Sequence, residues 1–248
     1  MDSAELQTFY SRPLEAILSD SRGPEAHAAL LEALETGRVR AALRREDGAW
    51  EAQSWVKAAI LAGFRATDLV ELPGAWGPAF DRAAFPPRPF TAAEGVRLVP
   101  GGSAVRRGAF VAPGVVLMPP AYVNVGAFVD AGTMVDSHAL VGSCAQIGRR
   151  VHLSAGAQVG GVLEPAGARP VVVEDEAFVG GLCGLFEGVV VRRRAVLAPG
   201  VLLTGSTLIH DLVHGGTLRG EVPEGAVVVP GSRPASGPHG QGIQLYAP

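Results

Sequence analysis

The sequence has 248 residues, of which 48% are hydrophobic and only 6% aromatic, and its formal net charge is −3 at pH 7. This slightly acidic balance argues against a nucleic-acid-binding protein, and no apolar run reaches the ~18 residues of a membrane-spanning helix. The start of the chain lacks the basic and then apolar layout of a signal peptide, and its two cysteines suggest no disulfide framework, so we expect a cytoplasmic protein.

Residues 1–95 are predicted to form a small α-rich domain that ends in a linker. Helical patterns cover residues 4–18 and 24–36. Pro13 is expected to divide the first helix into two pieces, because proline cannot donate the hydrogen bond that a helix interior needs. Gly37 stands where a glycine commonly ends a helix, so the second helix should stop there.

A short hairpin and a third helix are predicted next. Residues 39–44 and 49–52 flank an Asp-Gly turn, which is typical of a hairpin. Residues 53–64 predict a helix, whose buried stripe is expected to consist of Trp55, Ala58, Ala59 and Phe64. Residues 73–90 are rich in proline, as in a linker or an extended arm rather than a core element.

Residues 96–230 are organised by a repeat of six. The repeated aliphatic positions are Val105, Val111, Leu117, Val123, Val129, Val135, Val141, Ile147, Leu153 and Val159, then Val173, Val179, Leu185, Val191, Leu197, Leu203 and Ile209. Four residues after each aliphatic stands a residue that is mostly small or β-branched. A helix of 3.6 residues per turn would scatter such a pattern around its axis, whereas short strands broken by a corner every six residues produce it. The fold class is therefore mainly β, a hexapeptide-repeat β-helix.

The repeat is interrupted once and fades near its end. Residues 160–172 add eight residues to one six-residue step, so they should leave the coil as a loop. The sixes fade over 210–220, and 222–229 predict a last strand or two. The tail, 231–248, is rich in glycine, proline and serine.

The local sequence carries a more specific signal than the repeat. The run MPPAYVNVGAFVDAGTMVDSHALVGSCAQIGRRVHLSAGAQVGGVLEP (residues 118–165) resembles the tetrahydrodipicolinate N-succinyltransferase family, and the resemblance extends over roughly 37–232. It implies a left-handed β-helix that assembles as a homotrimer, with active sites between subunits and no metal. It also implies succinyl transfer from succinyl-CoA to the amine of 2-amino-6-oxopimelate, the ring-opened acceptor of lysine biosynthesis.

The resemblance implies roles for four residues of this sequence. Asp136, in the motif TMVD, matches the aspartate that holds the acceptor near its amine, where a carboxylate can bind an ammonium group. Arg97, in GVRLVP, matches the arginine that holds a substrate carboxylate. Gly200 and Gly205 are the expected neighbours of the pantetheine arm of the acyl-CoA.

Three departures from the family pattern limit this transfer of function. Gly184 stands where the family has the glutamate thought to act as general base, and Leu182 and Cys183 replace an arginine and a serine before it. The tryptophan that follows TMVD is replaced, so that Asp136 is followed by Ser137 and His138. The family also continues for roughly one further helix, which closes over the substrates. We therefore regard His138 as the candidate replacement base.

Two other functions remain open from the sequence. A divergent member could acylate a different amine or use a different acyl-CoA, and a trimer that has lost catalysis could serve as a binding protein. The apolar replacements at Leu182 and Gly184 favour the first of these, and the retained Arg97 and Asp136 argue against the second. A zinc hydratase on a similar solenoid would need three clustered histidines. The available ones, His152, His210 and His214, have no common spacing in the repeat.

Overall fold

The computed structural model describes residues 1–72 and 78–248. Four α-helices form the first part of the chain: α1 Ser3–Tyr10, α2 Leu14–Leu18, α3 Gly23–Glu35 and α4 Ser54–Ala66. The predicted division at Pro13 is confirmed, since this residue precedes α2. Gly37 has a φ of +72°, a left-handed conformation that favours glycine, and it follows the end of α3 as expected.

Two antiparallel hairpins accompany the helices. The predicted first hairpin is confirmed as β1 Ala42–Arg44 paired with β2 Trp50–Ala52. The second pairs β3 Leu69–Leu72 with β4 Ala79–Arg82, so part of the predicted linker or extended arm over 73–90 is paired in a hairpin. Residues 73–77 of that segment lie outside the described residues. Ala84 and Phe85, also within the predicted linker, are buried in the core of the helices.

The predicted buried stripe of α4 is confirmed in part. Ala59 is fully buried, and Trp55 and Phe64 pack against the core of the helices but are only half-buried, as is Ala58. The helix lies between the other helices and the β-helix, so it is covered on more than one side. Its buried residues are Val56, Lys57, Ala59, Ile60, Ala62 and Gly63.

The remainder of the chain coils through three parallel sheets, which we call the first, second and third walls. The first wall contains β7 Phe110–Val111, β10 Phe128–Val129, β13 Gln146–Ile147, β16 Val172–Val173, β19 Val190–Val191 and β24 Glu221–Val222. The second contains β5 Arg97–Leu98, β8 Val116–Leu117, β11 Met134–Val135, β14 His152–Leu153, β17 Phe178–Val179, β20 Val196–Leu197 and β25 Val227–Val228. The third contains β6 Ala104–Val105, β9 Tyr122–Val123, β12 Leu140–Val141, β15 Gln158–Val159, β18 Gly184–Leu185 and β21 Leu202–Leu203.

The period of six is explained by one short strand and one corner in each repeat. Three repeats complete a coil, so Val129 pairs with Ile147, 18 residues later, on the first wall. Ile147 pairs with Val173, 26 residues later, because the interruption leaves the coil between β15 and β16. The repeated aliphatics and the residues four positions after them form one continuous core, with Leu117, Ile147 and Leu153 fully buried.

Two further hairpins and a short 3₁₀ helix complete the structure. The helix spans Ala92–Glu94; β22 Leu208–His210 pairs with β23 Thr217–Arg219, and β26 Ser232–Pro234 with β27 Gln244–Tyr246. None of the helices in residues 1–72 and 78–248 has the length and apolar character needed to span a bilayer.

Both cysteines are buried, and this predicts low thiol reactivity. Burial raises the pKa of Cys144 to about 12 and also raises the pKa of Cys183. Because the thiolate is the reactive species, neither thiol should react with Ellman's reagent at pH 8 in the folded protein, and both should react in urea. A thiol that reacts rapidly without denaturant would contradict this burial, and a Cys183→Ala variant assigns the residue concerned.

Because His27 is buried, we expect the free energy of unfolding to decline in mild acid. Burial lowers its pKa below the ordinary 6.5, and one ring nitrogen, Nε2, lies 2.9 Å from the carbonyl oxygen of Ala84. The unfolded chain takes up a proton near pH 6.5 while folded His27 stays neutral, so the free energy of unfolding should fall as the pH drops below 6.5. The slope attributable to this one group is at most about 1.4 kcal/mol per pH unit.

Urea unfolding between pH 7.5 and 5.5 measures this effect. A His27→Gln variant, which keeps a hydrogen-bond donor but cannot gain a charge, should lose less stability over the interval than the wild type. Equal losses would show that His27 does not contribute to the acid sensitivity.

Candidate functional site

The predicted acceptor residue lies at one of the three edges of the β-helix. We call the turns that join the second wall to the third the second corner. Asp136 follows β11 at this corner and is half-buried. Its Oδ1 accepts a hydrogen bond from the amide of Ser137 at 2.7 Å, whereas Oδ2 makes no hydrogen bond within the part of the chain that the structure describes. The carboxylate is therefore held by the backbone and keeps one oxygen for a donor from outside.

The tips of successive turns stack along this corner. The amide of His138 donates to the carbonyl of Pro120 at 2.6 Å, and that of Gly156 donates to Ser137 at 2.8 Å. The next two tips continue the stack as Leu182 and Gly200. His138 and Leu182 have φ values of +61° and +58°, in the left-handed region that the turn requires. The structure therefore brings His138 and Gly200 into one column, at tips three turns apart.

The His138 side chain is exposed at the corner. Its ring makes no hydrogen bond within residues 1–72 and 78–248, while its carbonyl accepts from the side-chain amide of Gln158 at 3.0 Å. The same Gln158 nitrogen also donates to Gly156 at 3.1 Å. Gln158 therefore joins two turns of the corner and supports the backbone of His138, leaving the imidazole free to meet a ligand.

Arg97 lies on the wall that leads to Asp136. It begins β5, where its Cα is in register with Val116, and Val116 is in register with Met134 of β11. Neighbouring strands are about 4.8 Å apart, so the backbone of Arg97 lies roughly 10 Å from the strand that precedes Asp136. The side chain is exposed and forms no ion pair among the described residues. A ligand with an amine and a distant carboxylate could reach both residues.

Neighbouring side chains occupy the space in which a side chain at residue 184 would lie. A Cβ atom at Gly184 would lie 2.6 Å from the ring of Phe186 and 2.8 Å from the Leu202 side chain. Phe186 also lies against Gly160 of the turn below. A larger side chain at residue 184 would therefore require both neighbours to move. This part of the third wall is therefore an apolar surface rather than an empty space.

Apolar side chains continue this surface around Gly184. Leu182 is 74% exposed and reaches over Gly156, where an added Cβ would lie 2.7 Å from its Cδ2. Leu202 is 50% exposed, and its amide donates to the hydroxyl of Tyr246 at 2.8 Å. The C-terminal hairpin is thereby attached to the third wall, and the pKa of Tyr246 is raised by burial.

The two glycines predicted to adjoin the pantetheine arm lie on different corners. Gly200 stands at the second corner, where a Cβ would meet nothing within 4 Å. Gly205 follows β21 at the corner on the other side of the third wall, where a Cβ would lie 2.9 Å from the Glu187 carbonyl oxygen. The structure thus separates them by the width of the third wall, and no single turn contains both.

The remaining histidines are also dispersed. His152 points outward from the second wall and stacks on Phe178, with ring centroids 5.1 Å apart. His210 lies in β22, and His214 is exposed beside Asp211, with Nδ1 3.1 Å from Oδ2. Among the described residues, no group of three or more His, Cys, Asp or Glu side chains is placed to hold a metal ion.

Sequence reasoning missed Phe186, Gln158 and Tyr246. The signal for the first two was present, because alternate residues of a strand face opposite sides. Leu185 points into the core, so Phe186 must share the outer surface with Gly184. No local pattern connects Tyr246 with Leu202, which lies 44 residues earlier.

The sequence of this chain is similar to those of a known protein family. Residues 15–66 match the family model for the N-terminal part of tetrahydrodipicolinate N-succinyltransferases. The chain is 50% identical over 217 residues to the 2,3,4,5-tetrahydropyridine-2,6-dicarboxylate N-succinyltransferase of Bradyrhizobium diazoefficiens, covering 85% of this chain and 76% of that relative. The protein of the same description from Nitrobacter winogradskyi is 46% identical over 248 residues, covering 94% of this chain and 86% of the relative.

A solved structure shares the fold. It is a Campylobacter jejuni chain provisionally described as a 2,3,4,5-tetrahydropyridine-2-carboxylate N-succinyltransferase, similar with a TM-score of 0.53 at 18% identity. The similarity covers 90% of this chain and 62% of that one, and at this identity it bears on the fold alone. The predicted fold class is confirmed as a hexapeptide-repeat, left-handed parallel β-helix with a small helical N-terminal part.

Proposed function

The chain belongs to the tetrahydrodipicolinate N-succinyltransferase family, and we propose that it transfers the succinyl group of succinyl-CoA to the amine of 2-amino-6-oxopimelate in lysine biosynthesis. The main support is 46–50% identity to relatives of this activity over most of the chain. In keeping with such a biosynthetic role, we place the protein in the cytoplasm.

In the proposed reaction, Asp136 binds the ammonium group of the acceptor through its free Oδ2. Arg97 binds a carboxylate of the acceptor, for which a guanidinium group offers paired donors. The ammonium must lose a proton before its nitrogen can attack the thioester carbonyl. A C–N bond then forms, the C–S bond breaks, and CoA leaves as a thiolate that takes up a proton.

We propose His138 as the group that accepts the proton from the amine. It stands two residues after Asp136, its ring is free of protein partners among the described residues, and Gln158 supports its backbone. Gly184 offers no side chain for this role. A general base typically contributes on the order of a hundred- to ten-thousand-fold in rate, so a family member without any base would be slow.

A second candidate function is acyl transfer to a different amine or from a different acyl-CoA. The specific observation in its favour is the apolar surface of Leu182, Phe186 and Leu202 around Gly184. An apolar wall favours a substrate with an apolar group at this place, because burying a charged group there without a partner is costly.

The proposal includes a homotrimer whose active sites lie between subunits. Exposed apolar side chains on the second wall, such as Phe178 and Val227, support an interface with another copy. In this arrangement Gly200 and Gly205 border the pantetheine arm from the two edges of the third wall. Sedimentation equilibrium would give three times the monomer mass of 25.6 kDa if the trimer forms.

The function is tested by the release of CoA thiol from succinyl-CoA, with 2-aminopimelate as a stable acceptor. We expect acceptor-dependent release with succinyl-CoA and much less with acetyl-CoA. Faster release with another acyl-CoA or another amine would support the second candidate. A folded trimer that releases no CoA with any tested pair would contradict both and would indicate a binding protein.

A further inference from the structure

A polar cavity of about 250 Å³ lies away from the second corner, between the β1–β2 hairpin and the first wall. It opens beside the turns that join the first wall to the second, which we call the first corner. Its walls include Arg40 and Trp50 from the N-terminal part, and Gln146 and Asp175 from the β-helix. None of the residues of the proposed reaction lines it.

Arg40 is held in this cavity with part of its donor capacity unused. Its guanidinium carbon lies 3.6 Å from the centroid of the Phe128 ring, and its Nε donates to Oε1 of Gln146 at 2.9 Å. Gln146 is itself buried and fixed by hydrogen bonds to backbone carbonyls. The two terminal nitrogens of Arg40 make no hydrogen bond within the described part of the chain. Burial lowers the pKa of Arg40, since the site is shielded from water.

Among the carboxylates that line the cavity, Asp130 and Asp175 lie near Arg40 without forming an ion pair with it. Their negative charges raise the pKa of Arg40, which opposes the lowering caused by burial. Asp175 accepts the amide of Arg149 at 2.8 Å through Oδ1 and leaves Oδ2 free among the described residues. The cavity therefore offers a fixed cation and a fixed anion, separated by space.

Gly148 keeps this space open. A Cβ at Gly148 would lie 2.6 Å from the backbone nitrogen of Asp175 and would overlap its carboxylate. The other acidic groups that line the cavity already have partners. Glu174 accepts from Trp50 at 2.8 Å and from Arg192 at 2.9 Å. Asp130 pairs with Arg149 at 3.3 Å, and Glu224 pairs with Arg194 at 2.7 Å. The free acceptor is thus on Asp175 and the free donors are on Arg40.

We propose that this cavity binds a free α-amino acid, with its carboxylate on Arg40 and its ammonium group on Asp175. A zwitterion supplies both missing partners at once, whereas a simple anion would meet the repulsion of Asp130 and Asp175. A buried charge is stabilised most by a paired and hydrogen-bonded partner. The volume of about 250 Å³ accommodates a small or medium side chain. The ligand would join the N-terminal hairpin to the β-helix.

Isothermal titration calorimetry on the full chain tests this proposal, with glycine and L-lysine as probes and acetate and methylamine as fragments. We expect saturable binding of at least one amino acid, with both fragments at least about tenfold weaker because each lacks one charged contact. Arg40→Gln and Asp175→Asn should each weaken amino-acid binding at least about tenfold. Arg45→Gln, which removes an exposed ion pair from the same hairpin, should leave binding unchanged.

Three results would overturn the proposal: no saturable binding of either amino acid, acetate binding as tightly as glycine, or variants that bind as the wild type does. If Arg40→Gln fails to fold, Asp175→Asn decides alone, since asparagine retains an acceptor for the Arg149 amide. Binding is read without substrates, so the outcome is independent of acyltransfer.

Discussion

Replacing Asp136 with asparagine is expected to lower kcat/KM for succinyl transfer by about ten- to a hundredfold, because one hydrogen-bonded contact with a charged group is lost. The reason is electrostatic, because the neutral amide cannot pair with the ammonium group of the acceptor as a carboxylate does. The asparagine carbonyl can still accept the Ser137 amide that Asp136 accepts at 2.7 Å, so the second corner should keep its conformation. Initial rates of CoA release for both proteins give the ratio.

Asp211→Asn is the matched control. Asp211 also accepts backbone amides, those of Val213 and His214, each at 2.9 Å, but it lies on the exposed β22–β23 hairpin. We expect it to change the rate less than twofold. If Asp136→Asn retained the wild-type rate while folding normally, the acceptor amine would not be bound at the second corner.

Replacing Leu153 with alanine is expected to destabilise the β-helix by about 2–5 kcal/mol. Leu153 is fully buried in β14, between Val135 and Val179 of the adjacent coils. Coils on both sides are held in register by their backbone hydrogen bonds, so the space left by the isobutyl group closes only in part. Urea unfolding followed by circular dichroism measures the change in the free energy of unfolding.

Leu212→Ala provides the comparison for this substitution. Leu212 is 90% exposed on the β22–β23 hairpin, and its removal should change the free energy of unfolding by less than about 0.5 kcal/mol. Similar small changes for both variants would mean that the inward positions of the repeat do not form a tightly packed core.

The inward positions could be predicted from the sequence because they obey one rule in every coil. Leu117, Val135 and Leu153 occupy the same place on the second wall, so each repeat constrains the same packing site. One residue that departs from the repeat does not obscure a pattern that every coil shares. The same period of six predicted a corner at Asp136 and His138, and the structure places both residues at one edge of the third wall.

The outward-facing positions follow no such rule, so the sequence did not show which of these side chains contact one another. Arg40 bonds Gln146 across 106 residues, because the hairpin folds back onto the first wall. The error in α4 has the same origin, since a helix enclosed on several sides has no single buried stripe. Gly184 was recognised as a departure, but only the side-chain packing of Phe186 and Leu202 shows that its place is filled.

We expect this chain to be an active N-succinyltransferase with glycine at position 184. Mass spectrometry of the products formed from succinyl-CoA and 2-aminopimelate is the decisive measurement, because CoA release alone does not distinguish transfer from hydrolysis. We expect N-succinyl-2-aminopimelate in equal amount to the CoA released, and much less of both with Asp136→Asn. Free succinate with no N-succinyl product, or no reaction from a folded trimer, would contradict it.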